Sequence, residues 1–252
     1  MPASEGKTPI ALCIAPQGFF GTNEPARWMS LKFMDYRTAP EGSLEFKDMY
    51  FGFTGNGNNF NIPTIDDIEY LDKDNNYYGA MTVDYYDNTD YYPVSSVINE
   101  NNEWNLSELG AANMYAMTDI DGKNKSAEII KYATADETWR TDTYIDNNFA
   151  YNYATAVCSC YRYHTLGTQE GDWYLGACGE MCMALAYKTN INTKLAAINA
   201  VYPNDCISSL DDNYYWTSTE ASRSWWTVCF DDGFIESLYG NDSYGAIALL
   251  QY

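Results

Sequence analysis

The side-chain pattern of residues 226–231, near the C-terminus, is the feature that most constrains the fold. Large apolar residues alternate there with smaller or polar ones. A period of two is that of a β-strand, whose successive side chains point to opposite faces. The pattern therefore predicts a strand with one buried and one exposed face. We expect Trp226, Val228 and Phe230 on the buried face and Thr227, Cys229 and Asp231 on the exposed face.

Other short apolar segments predict further strands. Residues 10–16 and 28–34 are separated by a glycine-rich turn and favour a pair of strands. Residues 114–117 and 246–250 predict two more, the second of which closes the chain. Between residues 38 and 112 the chain is rich in Asn, Asp, Gly and Tyr. We interpret that region as an insertion of loops and short strands, with residues 81–86 its clearest strand.

Apolar residues at helical spacing predict two helices in the middle of the chain, one over residues 126–134 and one from Cys178 to about residue 199. Strands, then helices, then strands favour an α+β domain whose chain ends lie close together. The 252 residues fit one domain, residues 1–252. Its predicted parts are first strands (10–36), a loop-rich insertion (37–112), a strand with two helices (113–213) and a C-terminal region (214–252).

The charge of the chain excludes two classes of partner. There are 35 acidic and 14 basic side chains, for a formal charge of −21. Phosphate backbones and anionic membrane surfaces require clusters of Lys and Arg, so we predict no nucleic-acid partner. No apolar run approaches the ~20 residues that span a bilayer, so we expect no membrane insertion. The first residues lack the features of a signal peptide, which indicates cytoplasmic synthesis or a trimmed chain.

The aromatic content has two interpretations. The chain has 24 Tyr, 10 Phe and 7 Trp. Recognition surfaces favour tyrosine because it offers rigid, amphipathic contact area at a low entropic cost. A strand-rich fold with many half-buried tyrosines would have the same composition, so composition does not separate the two.

The cysteines and the single histidine give little indication of catalysis. Seven cysteines is an odd number, and their spacing is not that of a disulfide framework. The pairs Cys158/Cys160 and Cys178/Cys182 lack the C-x2-C spacing of a zinc site, so we expect buried thiols. His164 has no nucleophile motif near it, and we predict a structural role.

Two Asp-rich segments match part of a calcium-binding loop. Residues 72–76 supply the first three ligand types, but Tyr77 stands where glycine is required and Val83 where glutamate is required. In residues 119–124 the glycine, Gly122, comes two positions early. We interpret both segments as Asx-rich turns, with calcium as the alternative, and expect no cofactor. There is also no phosphate-binding loop or dinucleotide-binding glycine pattern.

Two longer motifs precede the alternating strand: residues 171–180 (Gly-Asp-Trp-Tyr-Leu-x-x-x-Gly-Glu) and residues 215–220 (Tyr-Trp-Thr-Ser-Thr-Glu). With residues 118–122, 160–165, 226–233 and 246–249 they resemble the variable proteins of diversity-generating retroelements in gut bacteria and their phages. The resemblance covers roughly residue 114 to the C-terminus. It implies a C-type-lectin-like fold, related to that of formylglycine-generating enzymes, which displays diversified residues on its last strands and loops.

The resemblance also implies which residues are diversified and contact a ligand. These are Ala221, Ser222, Arg223, Ser224, Thr227, Cys229, Asp231, Asp232, Phe234, Ser237, Leu238, Tyr239, Asn241, Asp242, Ser243 and Tyr244. In this family the retroelement copies a template with errors at adenines, so AAC and AAT codons of the template change into many other codons. Because only the first two bases change, these codons never produce Trp, Met, Lys, Gln or Glu, which we call the codon rule. Within residues 221–245 only Trp225, Trp226 and Glu236 belong to that group. Trp226 matches a fixed family position, so the codon rule leaves Trp225 and Glu236 unexplained.

This chain departs from the family pattern at two glycines. Gly176 stands where the family usually has proline, and Gly245 where it usually has arginine. The sugar-binding motifs of calcium-dependent lectins are also absent. A fold does not establish a ligand, so we do not infer sugar binding from the resemblance.

These observations predict a display protein that binds a ligand or receptor and is not an enzyme. It would act outside the cell, on a phage tail fibre or on a bacterial surface structure such as a pilus. The expected partner is a protein or glycan receptor on a cell surface, and oligomerisation stays open. One alternative is an enzyme of the formylglycine-generating type, with Cys178 and Cys182 as its reactive pair. The other is a purely structural virion or pilus subunit.

Overall fold

The structure is a computed structural model that describes residues 8–35, 40–51, 53–54, 58–59, 116, 119–134, 155–221, 224–231, 235–238, 240 and 242–252. These residues form four helices and several antiparallel sheets, which confirms the α+β class. The elements are β1 (Ala11–Ala15), β2 (Arg27–Phe33), β3 (Met49–Tyr50), β4 (Phe53–Thr54), β5 (Asn58–Asn59), α1 (Gly122–Thr134), α2 (Thr155–Arg162), β6 (Trp173–Leu175), α3 (Cys178–Ala186), α4 (Lys188–Asn199), β7 (Tyr214–Ala221), β8 (Ser224–Cys229), β9 (Ile235–Leu238), β10 (Ser243–Tyr244) and β11 (Ile247–Gln251).

The main sheet has the strand order β1-β2-β11-β6. The predicted strands at residues 10–16, 28–34 and 246–250 appear as β1, β2 and β11, within a few residues of their expected bounds. The first and last strands both flank β2, and the backbone N–H of Tyr252 donates to the carbonyl oxygen of Ala26. The first and last described strands therefore lie in one sheet, with β2 between them.

A second sheet, with the order β7-β8-β9, is formed by the C-terminal region. Strand β8 lies at its centre, with Trp216 opposite Thr227 on one side and Ser237 opposite Trp226 on the other. Strands β3 and β10 pair separately as a two-stranded ribbon. One strand of this ribbon comes from the predicted insertion and the other from the end of the chain.

The helices differ from the prediction of two. The helix expected from Cys178 to residue 199 is divided at Tyr187 into α3 and α4. Helix α2 was not predicted, because its 8 residues are fewer than the window of about 11–18 residues over which helical periodicity is recognised. Helix α1 begins at Gly122, four residues before the expected start, and ends at Thr134 as predicted.

Two further strand predictions have different outcomes. The strand expected at residues 114–117 is wrong at Ala116, the residue of that segment which the structure describes, since Ala116 is helical and buried. Short apolar runs fit a buried helix as well as a strand, which explains the error. The strand expected at residues 81–86 lies outside the described residues. Among the described helices, none has the length and apolar character needed to cross a membrane.

A buried polar network connects the main sheet to α3. The Glu180 carboxylate accepts hydrogen bonds from Arg27 Nε, from the Tyr174 hydroxyl at 3.0 Å and from the Ala177 backbone N–H at 2.9 Å. Burial raises the pKa of Glu180 to about 7, although Arg27 opposes the shift. Gly122 packs against this site so closely that a Cβ atom there would lie 2.4 Å from Glu180 Oε2. The network fixes the start of α3 against the loop that precedes α1.

Candidate functional site

The face of β8 predicted to be buried is buried. Trp226 and Val228 are fully inaccessible, and Phe230 is 1% exposed. These side chains belong to a core cluster shared with Leu31 of β2 and Met181 of α3. The Thr217 hydroxyl of β7 donates to the Trp226 carbonyl oxygen at 2.7 Å. These residues form the scaffold of the C-terminal region.

The opposite face of β8 is also buried, so the prediction of a half-exposed strand is wrong. Thr227 is 0% exposed and Cys229 is 2% exposed, whereas Asp231, beyond the end of the strand, is exposed as expected. The Thr227 hydroxyl donates to the Glu236 carbonyl oxygen at 3.0 Å on β9. Alternation predicts two faces, but it does not show whether another part of the chain covers the second.

The cover on this face includes segment 43–51, which belongs to the predicted insertion. The Phe51 ring stacks on Trp225, with ring centroids 3.8 Å apart and planes 16° apart. The indole N–H of Trp216 donates to the Met49 carbonyl oxygen at 2.8 Å. From β10, the Tyr244 ring meets the Trp216 ring at 5.1 Å. The ribbon of β3 and β10 therefore lies over the face that carries Thr227.

The turn between β7 and β8 holds two more of the expected contact residues. Ala221 ends β7 and is 5% exposed, so its side chain offers almost no contact area. Ser224 is half-buried, and its hydroxyl donates to the Ala221 carbonyl oxygen at 2.9 Å. The same hydroxyl is hydrogen-bonded to that of Ser237 across β8 and β9. The structure thus brings Ser224 and Ser237 together at one edge of the sheet.

The remaining expected contact residues are accessible where the structure describes them. Asp231 and Ser243 are exposed. Half-buried side chains with an accessible part are Ser237, Leu238, Asp242 and Tyr244. The positions outside the described residues are Ser222, Arg223, Asp232, Phe234, Tyr239 and Asn241.

The two residues that the codon rule leaves unexplained are buried. Trp225 is 0% exposed beneath Phe51, and Glu236 is 8% exposed. Both are held in the sheet, because Trp225 pairs with Leu238 and the Glu236 carbonyl oxygen accepts from Thr227. Their burial gives them a structural role within the segment proposed to vary.

Packing explains why glycine stands at positions 176 and 245. A Cβ atom at Gly245 would lie 2.3 Å from a ring carbon of Phe46, so no larger side chain fits there without movement. A Cβ atom at Gly176 would lie 2.6 Å from the Leu249 side chain. Real Cβ atoms do not approach other heavy atoms this closely. Phe46, from the predicted insertion, therefore occupies space that a larger residue at position 245 would need.

The sequence does not indicate that segment 43–51 packs against the C-terminal region. A weak signal is present, because Met49, Phe51 and Phe53 alternate as strand residues do. That pattern predicts short strands at residues 49–53, which the structure contains as β3 and β4. It does not indicate which face these strands cover.

The residues considered for other chemistry are separate from this surface. Six of the seven cysteines are buried free thiols and Cys13 is exposed. The sulfur atoms of Cys178 and Cys182 lie 3.9 Å apart, and burial raises the pKa of Cys178 well above its usual value. His164 is exposed, with its ring Nδ1 3.1 Å from the Arg162 carbonyl oxygen.

The Asp119 turn is filled by protein donors. Its carboxylate accepts from Lys125 Nζ at 2.6 Å, from the Thr219 hydroxyl at 2.5 Å and from the Asp121 backbone N–H at 3.2 Å. This confirms an Asx turn at residues 119–121. Residues 72–76 lie outside the described residues. Within the described ranges, no group of three or more His, Cys, Asp or Glu side chains is arranged to hold a metal ion.

A groove of about 350 Å³ lies between β1 and the end of α4, lined by residues such as Leu12, Ile198 and Val201. None of its lining residues is one of the expected contact positions. Comparison of the chain with protein-family models, with curated proteins and with solved structures found no match. The family interpretation therefore rests on the motifs of this chain.

Proposed function

We propose that this protein is a ligand-binding display protein whose C-terminal region carries exchangeable contact residues on a C-type-lectin-like scaffold. This is the role that its resemblance to the variable proteins of diversity-generating retroelements implies. The scaffold would consist of the main sheet, the four described helices and the buried face of β8. The contacts would lie on the accessible positions between Ser224 and Tyr244.

The difference in burial between two groups of residues in the same segment carries this proposal. The residues that AAC or AAT diversification cannot produce, Trp225, Trp226 and Glu236, are at most 8% exposed. Among the described contact candidates, Ala221, Thr227 and Cys229 are buried as well, whereas the other seven keep an exposed or half-exposed side chain. Diversification is tolerated where a side chain reaches solvent, because surface substitutions away from special features change stability little. The chain thus combines fixed buried residues with a changeable surface.

The topology is compatible with the proposed scaffold. The first and last strands lie on either side of β2 in one sheet, and the four described helices precede β7 in the chain. Strands β7, β8 and β9 form a separate sheet with one edge at β9. Loops at the ends of such a sheet can change while the sheet holds its position.

The proposed partner is a protein or glycan receptor on a cell surface, which this protein would meet outside the cell. A phage tail fibre or a bacterial surface structure would present it there. The charge of −21 disfavours nucleic acid as the ligand. Half-buried tyrosines such as Tyr214 and Tyr244, whose rings meet at 5.1 Å, supply the rigid amphipathic area that protein and glycan ligands use.

A binding experiment tests the proposal directly. Fluorescently labelled protein is incubated with a panel of gut bacterial isolates, and bound protein is measured by flow cytometry. We expect a double variant, Asp231→Tyr with Ser243→Arg, to change which isolates are labelled while the melting temperature is kept. Thr193→Arg, at an exposed position of α4, is the matched control and should leave the labelling pattern unchanged. If both variants keep the wild-type pattern on every isolate that binds, the proposed contact surface is wrong.

The encoding locus offers an independent check. We expect a near-copy of the coding sequence for residues 221–244 beside a reverse transcriptase gene, with differences confined to the adenines of the copy. A locus without such a copy would contradict the retroelement assignment. Binding by the display surface would then have to be explained without diversification.

The enzyme alternative makes a different prediction about the thiols. An enzyme of the formylglycine-generating type would need a reactive thiolate, whereas burial raises the pKa of Cys178 and keeps it protonated near neutral pH. Iodoacetamide treatment of the native protein, followed by peptide mass spectrometry, should label exposed Cys13 first. Rapid labelling of Cys178 or Cys182 would favour the enzyme.

A further inference from the structure

We propose that segment 43–51 is a fixed framework element that positions the C-terminal recognition surface. As a consequence, ligand contacts lie on the β3/β10 ribbon and on the rim of the second sheet, by which we mean accessible positions around β8 and β9 such as Asp231. They do not lie on the broad face of β8. The positioning role stands on packing alone, and the statement about contacts rests on the proposed function. Three anchors from the segment, Phe46, Met49 and Phe51, carry the inference.

The first anchor is the stack between Phe51 and Trp225. Both side chains are fully inaccessible, and their rings are nearly parallel at 3.8 Å. The Phe51 ring also meets Trp216 edge-on at 5.5 Å. Aromatic pairs in these geometries stabilise beyond the area that they bury. One phenylalanine from the insertion therefore contacts neighbouring strands β7 and β8 at once.

The second and third anchors hold the segment at its other end. The Met49 carbonyl oxygen accepts from the Trp216 indole N–H at 2.8 Å within the buried region. The Phe46 ring lies between Phe33 and Tyr215, with centroids 5.5 Å from each. It also packs against Gly245, which has room only for a hydrogen atom. The segment thus connects β2 of the main sheet with β7 of the second sheet.

Backbone pairing joins this segment to residues that are proposed to vary. Ser243 pairs with Tyr50, and Tyr244 pairs with Met49, in the antiparallel ribbon. Backbone hydrogen bonds form with almost any side chain, so the side chains of β10 can be exchanged without loss of the ladder. The anchors themselves lie outside the set of varying positions, and the codon rule cannot produce Trp225 or Trp216. The arrangement keeps its framework constant while the surface residues change.

The ribbon also decides which positions a ligand can reach. Tyr214 is the register partner of Cys229, so their side chains share one face of the sheet. The Tyr214 ring meets the Tyr244 ring of the ribbon at 5.1 Å. The ribbon therefore extends over the Cys229 end of β8, and both Thr227 and Cys229 are enclosed. Accessible contacts are then those on the ribbon and the rim, such as Ser243 and Asp231.

Thiol labelling measures this positioning without a ligand. The Cys229 thiol reports whether the ribbon stays closed. The Cys178 thiol, which lies in the same core cluster as Trp226 and Met181, reports whether the whole domain stays folded. We compare wild type with Phe51→Ala and with Phe51→Leu, which keeps an apolar side chain but removes the stack. Peptide mass spectrometry follows iodoacetamide labelling of each thiol over time. Phe19→Ala, which removes an aromatic pair with Phe20, is the matched control.

We expect both Phe51 variants to label Cys229 about tenfold faster than wild type, since local opening needs only the aromatic anchor to be lost. Cys178 should label at the wild-type rate, and Phe19→Ala should leave Cys229 unchanged. Wild-type labelling of Cys229 in folded Phe51→Leu would overturn the positioning role. Equal acceleration of Cys178, or unfolding of both Phe51 variants, would overturn it too, because the anchor would then act on the whole domain.

These outcomes separate this inference from the proposed function. If labelling shows that the ribbon is anchored but no isolate is bound, the display function fails while the positioning role stands. If the Phe51 variants label like wild type while the Asp231 and Ser243 double variant changes cell binding, the positioning role fails and the display function stands. Neither result depends on knowing the receptor.

Discussion

Thr227→Arg and Ser243→Arg should differ strongly in their effect on stability. Both positions carry small hydroxyl residues, and AAC-type diversification can produce arginine at either. Thr227 is fully buried between β7 and β9 beneath the ribbon, whereas Ser243 is exposed on β10. The same side chain is therefore placed in the interior in one variant and in solvent in the other.

The magnitudes follow from burial and hydrogen bonding. An uncompensated charge in the interior costs about 3–5 kcal/mol, so Thr227→Arg should lower the melting temperature by about 10 °C or more in a domain of this size. Thr227→Val keeps the shape but removes the hydrogen bond to the Glu236 carbonyl oxygen, which costs about 1 kcal/mol. Ser243→Arg should stay within about 0.5 kcal/mol of wild type.

Thermal unfolding followed by circular dichroism, with urea titrations for the free energies, measures all three variants. The expected order of stability is wild type and Ser243→Arg, then Thr227→Val, then Thr227→Arg. A folded Thr227→Arg variant that melts within a few degrees of wild type would show that this face of β8 is open. In that case Thr227 and Cys229 would return to the set of ligand contacts.

Two further variants test the packing and the buried charge. Gly245→Ala should lower the free energy of unfolding by about 1–3 kcal/mol, because the new Cβ atom overlaps the Phe46 ring; wild-type stability in urea would contradict that packing. Burial raises the pKa of Glu180 to about 7, so in weakly acid solution the folded protein retains a proton that the unfolded chain releases. As the pH rises from about 5 to 7, the free energy of unfolding of wild type should therefore fall relative to that of Glu180→Gln, by at most about 1.4 kcal/mol per pH unit. Parallel curves of unfolding free energy against pH would refute the raised pKa.

Hydrophobic patterns in the sequence predicted the strands whose residues have a clear period or form a short apolar run. The period of two in residues 226–231 predicted β8 and its buried Trp226, and apolar runs predicted β1, β2 and β11. Helix α2 was not predicted because its 8 residues are too few to show a helical period clearly. The break at Tyr187 likewise leaves no proline or glycine that would indicate it.

By itself, the sequence determined the α+β class, the positions of the end strands and the identity of the residues that form the inner face of β8. Only the tertiary structure decided that the other face is covered, because the cover comes from a distant part of the chain. Its residue Met49 accepts a hydrogen bond from Trp216, 167 residues later in the sequence. Alternation is a property of neighbouring residues, whereas burial depends on whatever segment packs against the strand. This is why Thr227 and Cys229, predicted as contacts, are buried, while Asp231 and Ser243 remain accessible.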